Sequence, residues 1–86
     1  GVGVLKEPAG LQMARNGALF VADTGRDQVL VFSQSGALLA AIGSAGDKLG
    51  ALANPVDVAV SGERLFVAEA GNHRIQVFEL QWLQIP

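Results

Sequence analysis

Two acidic residues, Asp23 and Glu69, each follow a short apolar segment and occupy equivalent places in the sequence. Repeated around an axis, such carboxylates could hold a divalent cation through their oxygens. In the structural alternative, each side chain accepts hydrogen bonds from the amides of the turn that follows it, as in an Asx turn. One position is Asp and the other Glu, which does not suit a single shared ligand geometry. We therefore expect both carboxylates to be structural.

His73 is the only histidine, and the chain has no cysteine. Three copies of one histidine around an axis would match a catalytic zinc site, which uses three protein ligands and keeps one open position. One chain supplies a single imidazole, however, and the residue equivalent to His73 is Asp27. We expect no metal and no cofactor, and a metal-dependent enzyme is kept as the alternative.

Arg74 is expected to form an ion pair with an acidic neighbour, such as Glu69 or a residue of an adjacent repeat. The equivalent residue is Gln28, so the pair cannot recur. An exposed ion pair adds little stability. Its expected role is therefore to fix the register.

Two other catalytic motifs are missing. The glycine-rich segment 43–50 lacks the Gly-Lys-Ser/Thr ending of a P-loop and precedes a predicted strand, which makes it a connector and not a phosphate site. None of the serines lies in a Gly-x-Ser-x-Gly elbow. The sequence therefore predicts no nucleotide site and no serine hydrolase.

The equivalence of these residues follows from an internal repeat. It is carried by three pairs of segments, two separated by 46 residues and the last by 47: 19–25 with 65–71, 29–32 with 75–78, and 3–8 with 50–55. The extra residue falls where 15–17 faces 61–63, and this is a predicted turn, where insertions are tolerated.

Each unit contains short apolar segments separated by turn residues, with no helical period. In the first unit we predict strands near residues 10–14, 18–23, 28–33 and 37–42. Dipeptides that favour tight hairpins separate them: Asn16-Gly17, Thr24-Gly25 and Ser35-Gly36. Segment 19–22 is apolar on both faces and must be covered on both sides.

This pattern predicts an all-β fold of two four-stranded antiparallel propeller blades. A flat sandwich is the alternative, although it does not require the same long loop before each unit. The predicted boundaries are blade one at about 8–42, a connector at about 43–54 and blade two at about 55–86. The outer strand of blade two would start near Leu83, so it is incomplete or supplied by another chain. Its turn also differs, because Trp82 stands where blade one has Gly36.

Residues 68–78, which contain Asn72-His73-Arg74, resemble the NHL repeat, named after its Asn-His-Leu tripeptide. Residues 22–32 resemble it too, although Arg26 and Asp27 replace the Asn-His pair. The resemblance implies a hairpin-loop role for His73. It also implies a structural motif made of Asp23, Gly25, Glu69, Gly71 and Arg74. The family includes interaction domains, RNA-binding domains, sensor domains and metal-dependent lyases, so the resemblance does not fix a function.

NHL repeats usually assemble six to a propeller, so three copies of a two-blade chain would complete a ring. We predict a homotrimer, with a dimer as the next choice. The predicted interface residues are Val2, Val4, Leu5, Trp82, Leu83 and Ile85. A start at Gly1 without Met is also compatible with an excised or engineered piece of a longer propeller.

Composition limits the other function classes. Half of the 86 residues are hydrophobic, which excludes disorder. The formal net charge of −2 predicts no nucleic-acid and no membrane partner. The longest apolar run, 37–42, is far too short to span a bilayer, and no signal peptide is recognised in this sequence.

We predict a non-enzymatic scaffold that assembles with copies of itself and binds a protein or a small ligand on one loop-rich face. Loops on a rigid framework commonly carry binding function. The predicted ligand-binding residues are Thr24, Arg26, Asp27, Asp47, Lys48, Asn72 and His73. The alternative is a lyase-like or hydrolase-like propeller with a metal in the pore.

Overall fold

The computed structural model describes residues 5–80, which form seven strands in two antiparallel sheets. The first sheet contains β1 (Pro8–Met13), β2 (Leu19–Asp23), β3 (Gln28–Phe32) and β4 (Leu38–Ile42), in that order. The second contains β5 (Pro55–Ser61), β6 (Arg64–Glu69) and β7 (Arg74–Glu79), also in order. In the described part of the chain, the one helical element is a 3₁₀ turn at Thr24–Arg26. The predicted all-β antiparallel fold is confirmed.

Glycines close two of the three predicted hairpins. Gly17 and Gly36 have φ angles of 90° and 89°, which is backbone that glycine adopts without a steric penalty. The third hairpin also forms, since Asp23 pairs with Gln28, but Thr24-Gly25 is the first part of a 3₁₀ turn in a four-residue loop. Asp27 then takes the left-handed conformation, with φ of 54°, and leads into β3.

The sheets stack face to face, and the main core lies between them. The inner face of the first sheet carries Phe20, Ala22, Val29, Val31 and Ile42, all buried. The inner face of the second sheet carries Val58, Leu65 and Val67, and Leu52 from the connector fills the remaining space. Fully burying a large apolar side chain contributes about 1.5–3 kcal/mol, so this layer holds the sheets together.

The outer face of the first sheet has its own apolar cluster. Val21, Leu30 and Phe32 are buried there, with Leu5 and Leu19 packed against them. Strand β2 is therefore covered on both faces, as its apolar sequence predicted. On the outer face of the second sheet, by contrast, Ile75 and Val77 are exposed.

The sheets approach most closely where β1 crosses β5. A Cβ atom on Gly10 would lie 2.6 Å from Asp57 Oδ1 and 2.8 Å from Asp57 Cα. Such distances are too short for any side chain at position 10. Both strands also carry a register shift at the same place in the repeat, between Pro8 and Gly10 and between Pro55 and Asp57.

The predicted outer strand of the second unit, from Leu83 onward, lies outside the described residues. The same holds for four further predicted interface residues: Val2, Val4, Trp82 and Ile85. Within residues 5–80, no helix has the length and apolar character needed to cross a bilayer.

Candidate functional site

Glu69 lies at the centre of the most extensive polar network described in the chain. Strand β6 ends with Glu69 facing inward, and register places Arg74, the first residue of β7, directly opposite. The carboxylate accepts hydrogen bonds from Ala53 N–H at 3.1 Å, Asn72 Nδ2 at 2.8 Å, Arg74 Nε at 2.6 Å and Gln76 Nε2 at 3.1 Å. We call Glu69, Asn72, Arg74 and Gln76 the carboxylate clamp. Its predicted ion pair, Glu69 with Arg74, is confirmed.

Arg74 also holds the connector between the sheets. Its Nη1 donates to the Asp47 carbonyl at 2.9 Å. Its Nη2 donates to the carbonyls of Lys48 and Ala51, at 3.1 and 2.8 Å. The planar guanidinium presents five donors in a fixed fork, so it can bind the carboxylate and three carbonyls together. Arg74 thus fixes the connector as well as the strand register.

Gln76 completes the clamp, although the sequence analysis did not single it out. Its amide nitrogen donates to Glu69 and to the Ala51 carbonyl, and its oxygen accepts a 2.6 Å hydrogen bond from Gly50 N–H. The available signal was a polar residue between the apolar Ile75 and Val77, at the position where the first unit has Leu30. Gln28, at the equivalent of Arg74, makes one comparable bond, to the Gly43 carbonyl at 3.1 Å.

The charge of Glu69 is stabilised by its partners. Burial alone would raise the pKa of this carboxyl, but hydrogen bonds from Arg74, Asn72 and the Ala53 amide, with the charge of Arg74, lower it below its usual value of 4.5. A carboxyl whose pKa is lower in the folded state stabilises that state above its unfolded pKa. This contribution is lost as the pH falls through the folded pKa.

We therefore expect the free energy of unfolding to decrease as the pH falls below about 4.5. Glu69→Gln should flatten this part of the pH profile, because the variant has no carboxyl to protonate at the clamp. Urea unfolding followed by circular dichroism between pH 7 and pH 3 measures the effect. An equally steep profile in Glu69→Gln would assign the acid sensitivity to other carboxyls.

Asp23 has a related role in the first sheet, with different partners from those predicted. Its side chain accepts hydrogen bonds from Lys6 N–H at 2.8 Å and Glu7 N–H at 2.7 Å. It caps no amide of the following 3₁₀ turn, so the Asx-turn prediction is wrong. Arg26 Nε lies 3.7 Å from the carboxylate. Both acidic residues therefore bind backbone amides of the segment that precedes their sheet.

Two glycines make room for these preceding segments. A Cβ atom on Gly71 would lie 2.8 Å from the carbonyl oxygen and 3.0 Å from the carbonyl carbon of Ala53. At the equivalent Gly25 it would meet the side-chain stems of Lys6 and Glu7. Gly25 and Gly71 thus leave room for the preceding segment to lie against its sheet, where its amides bind the acidic residue.

We expect Gly71→Ala to destabilise the fold by about 1–3 kcal/mol, the usual cost of overpacking. The added methyl group would push Ala53 away and lengthen its hydrogen bond to Glu69. Urea unfolding compared with wild type gives the value. Ala70→Ser, at the exposed neighbouring position, is the control and should change stability by less than about 0.5 kcal/mol. Equal effects of the two substitutions would contradict this packing role.

The predicted ligand-binding residues fall into two neighbouring groups. At the seam between the sheets, Thr24 donates to the Pro55 carbonyl at 2.6 Å, and Asp27 accepts a 2.8 Å hydrogen bond from Asn54 N–H. At the clamp, Asn72 donates to the Gly46 carbonyl at 3.0 Å, beside the carbonyls of Asp47 and Lys48 that Arg74 binds. The remaining two residues, Arg26 and His73, are exposed.

His73 and Asp27 are equivalent in backbone as well as in sequence. Each has a left-handed φ, 50° for His73 and 54° for Asp27, and each directly precedes the third strand of its sheet. Among residues 5–80, no group of three or more His, Cys, Asp or Glu side chains is placed to hold a metal ion. In the described structure, the Glu69 carboxylate accepts its hydrogen bonds from protein groups.

Comparison with known proteins identifies the second unit. The family model of the NHL repeat matches residues 52–78, from the end of the connector through most of β7. No curated protein sequence matches the chain. The matched segment contains the whole carboxylate clamp, and the earlier resemblance is confirmed there. Residues 52–78 thus match the NHL repeat, and the match covers the second sheet and the end of the connector.

Proposed function

We propose that the chain is a non-enzymatic, propeller-type scaffold that associates with copies of itself and binds a protein or a small ligand on a face made of loops. An NHL repeat suggests a β-propeller-like interaction scaffold, and such domains are generally non-catalytic. The carboxylate clamp carries the proposal. Its buried carboxylate and the guanidinium that binds it hold the connector in place, which is a structural role.

The binding surface would be the loop face, defined here as the turns at 24–27 and 70–73 with the connector at 43–54. The first turn is tied to the connector through Asp27 and Asn54, and the second through Asn72 and Gly46. Through these hydrogen bonds, the two turns and the connector would form one continuous surface. Loops held on a rigid framework in this way suit recognition better than chemistry.

In self-association, other copies of the chain would pack against the two stacked sheets. Three copies would place six sheets around an axis, the arrangement that the repeat family favours, and repeat the loop face around the ring. Sedimentation velocity over a wide concentration range tests this part. We expect the mass of three chains, and a stable single chain would contradict it.

Binding on the loop face is tested by protein-observed NMR with a library of small polar fragments and short peptides. We expect binders to shift the amide signals of residues 24–27, 43–54 and 70–73. His73→Ala should weaken such binding without loss of fold, because the side chain is exposed and lies outside the clamp. Glu63→Ala, exposed in the β5–β6 turn, serves as the control and should leave binding unchanged. Binders that shift only other signals would contradict the proposed surface.

A further inference from the structure

A hollow of about 280 Å³ opens between the two sheets, at the end of the strands away from the loop face. The loop-face turn at 70–73 follows β6, whereas this hollow lies beside the turn that precedes β6. A six-residue strand is about 20 Å long, so the two surfaces are separate. We call this space the turn hollow, because the β1–β2 and β5–β6 turns form its two sides.

The floor of the turn hollow is apolar. Four side chains form it: Ala14, Phe20, Val60 and Leu80. Phe20 belongs to the main core, and the other three pack against that core. A polar ligand group on this floor would lose its hydrogen bonds to water and meet only apolar side chains. The floor therefore suits an aliphatic group.

Two opposite charges lie at the rim, one on each turn. Arg15 belongs to the β1–β2 turn and Glu63 to the β5–β6 turn, and both are exposed. The ion pairs found within residues 5–80 involve neither of them, and Arg64, next to Glu63, is paired with Glu79. A ligand can therefore reach both rim charges.

Hydrogen bonds fix the backbone of both turns. In the first turn, the Ala14 amide donates to the Ala18 carbonyl at 2.8 Å, and the Gly17 amide donates to the Ala14 carbonyl at 2.9 Å. In the second turn, the carbonyl of Glu63 accepts a 2.7 Å hydrogen bond from the Leu80 amide. The two rim charges are thus attached to hydrogen-bonded backbone on opposite sides of one apolar floor.

From this arrangement we infer that the turn hollow binds a free amino acid with an aliphatic side chain, such as leucine. The guanidinium of Arg15 binds the carboxylate, a pairing that is commonly bidentate. The carboxylate of Glu63 binds the ammonium group, and the aliphatic side chain lies on the apolar floor. The lining residues belong to one chain, so the site does not depend on the self-association proposed above.

The rim charges and the size of the hollow select this class of ligand. An anion that Arg15 attracts is repelled by Glu63, and the reverse holds for a cation, so a ligand with a single charge gains little. A zwitterion gains from both rim charges. Drug-sized ligands occupy pockets of about 300–1,000 Å³, and a hollow of about 280 Å³ suits a smaller molecule.

Leucine itself is the probe, and its binding is followed through the amide signals of the protein in NMR titrations. We expect saturable shifts at residues 14–18, 60–64 and 80, with a dissociation constant in the millimolar range because both rim charges are exposed. Three analogues separate the contributions. Glycine lacks the side chain, leucinamide the carboxylate and isocaproic acid the ammonium group, and each should bind several-fold more weakly than leucine.

Variants of the rim test the same contacts from the side of the protein. Arg15→Gln and Glu63→Gln should each weaken leucine binding several-fold. Arg64→Gln and Glu79→Gln make the same charge changes at the neighbouring exposed pair, so they are matched controls and should bind leucine like wild type. Circular dichroism checks that each variant folds.

Three results of the titrations would overturn the inference: leucine produces no saturable shift up to its solubility limit, it shifts only the loop face, or an analogue with one charge binds as tightly as leucine. Equal losses for the rim variants and their controls would overturn it as well, because they would assign the effect to net charge and not to the turn hollow.

Discussion

Glu69→Ala should lower the free energy of unfolding by about 3 kcal/mol or more, because removing one partner of a buried ion pair leaves the other uncompensated. The variant also leaves the amide of Ala53 and the side chains of Asn72 and Gln76 without one acceptor each. Arg74 keeps its three carbonyl partners, which limits the loss. Urea unfolding at pH 7, at a concentration where association is constant, measures the change.

The chain offers a matched control in a second Glu–Arg pair. Glu79 lies 3.2 Å from Arg64 across the same two strands, but both side chains are more than half exposed. Solvent screens such a pair, so Glu79→Ala should cost less than about 1 kcal/mol. Similar losses for Glu69→Ala and Glu79→Ala would mean that burial and the connector contacts of the clamp add nothing to stability.

Phe20→Ala should destabilise the chain by about 3–5 kcal/mol, the usual cost of truncating a fully buried aromatic side chain. Phe20 is 1% exposed in the core between the sheets. The equivalent substitution, Phe66→Ala, should cost clearly less in the single chain, because Phe66 lies on the outer face of the second sheet. Because the two phenylalanines occupy equivalent positions of the repeat, the difference between the two losses measures how much the neighbouring sheet contributes to stability.

Thermal and urea unfolding of the two variants make this comparison. Both are measured at a chain concentration low enough that association does not contribute to stability. Equal losses would show that the sheets do not cover Phe20 and Phe66 differently.

Much of the fold could be predicted because the repeat aligned the strands. Patterns within a few residues carried this information: apolar segments, Asn16-Gly17, Ser35-Gly36, and the pairing of Glu69 with Arg74 across one short turn. Thr24-Gly25 correctly marked a hairpin, but the dipeptide does not specify that its loop contains a 3₁₀ turn. In the turn between β2 and β3, the residue in the left-handed conformation is Asp27 and not Gly25.

The predictions that failed for the site depended on distant segments. Asp23 binds amides 16 and 17 residues earlier in the chain, and Arg74 binds carbonyls of the connector more than 20 residues earlier. The sequence alone showed that Asp23 and Arg74 carry groups that can form ion pairs and hydrogen bonds. It did not show that backbone groups of the connector would be their partners, because loop backbone leaves no pattern in the residue types.

The close approach at Gly10 also has a consequence for how large an assembly can grow. Backbones of the two sheets are nearest where β5 meets β1 and β2, so the sheets form a wedge that is thinnest on that side. In the assembly proposed above, such wedges would be arranged with their thin edges toward a common axis. Flat units that associate through two different surfaces would add without limit into fibres. Curvature that begins with one missing side chain would instead close the assembly into a ring.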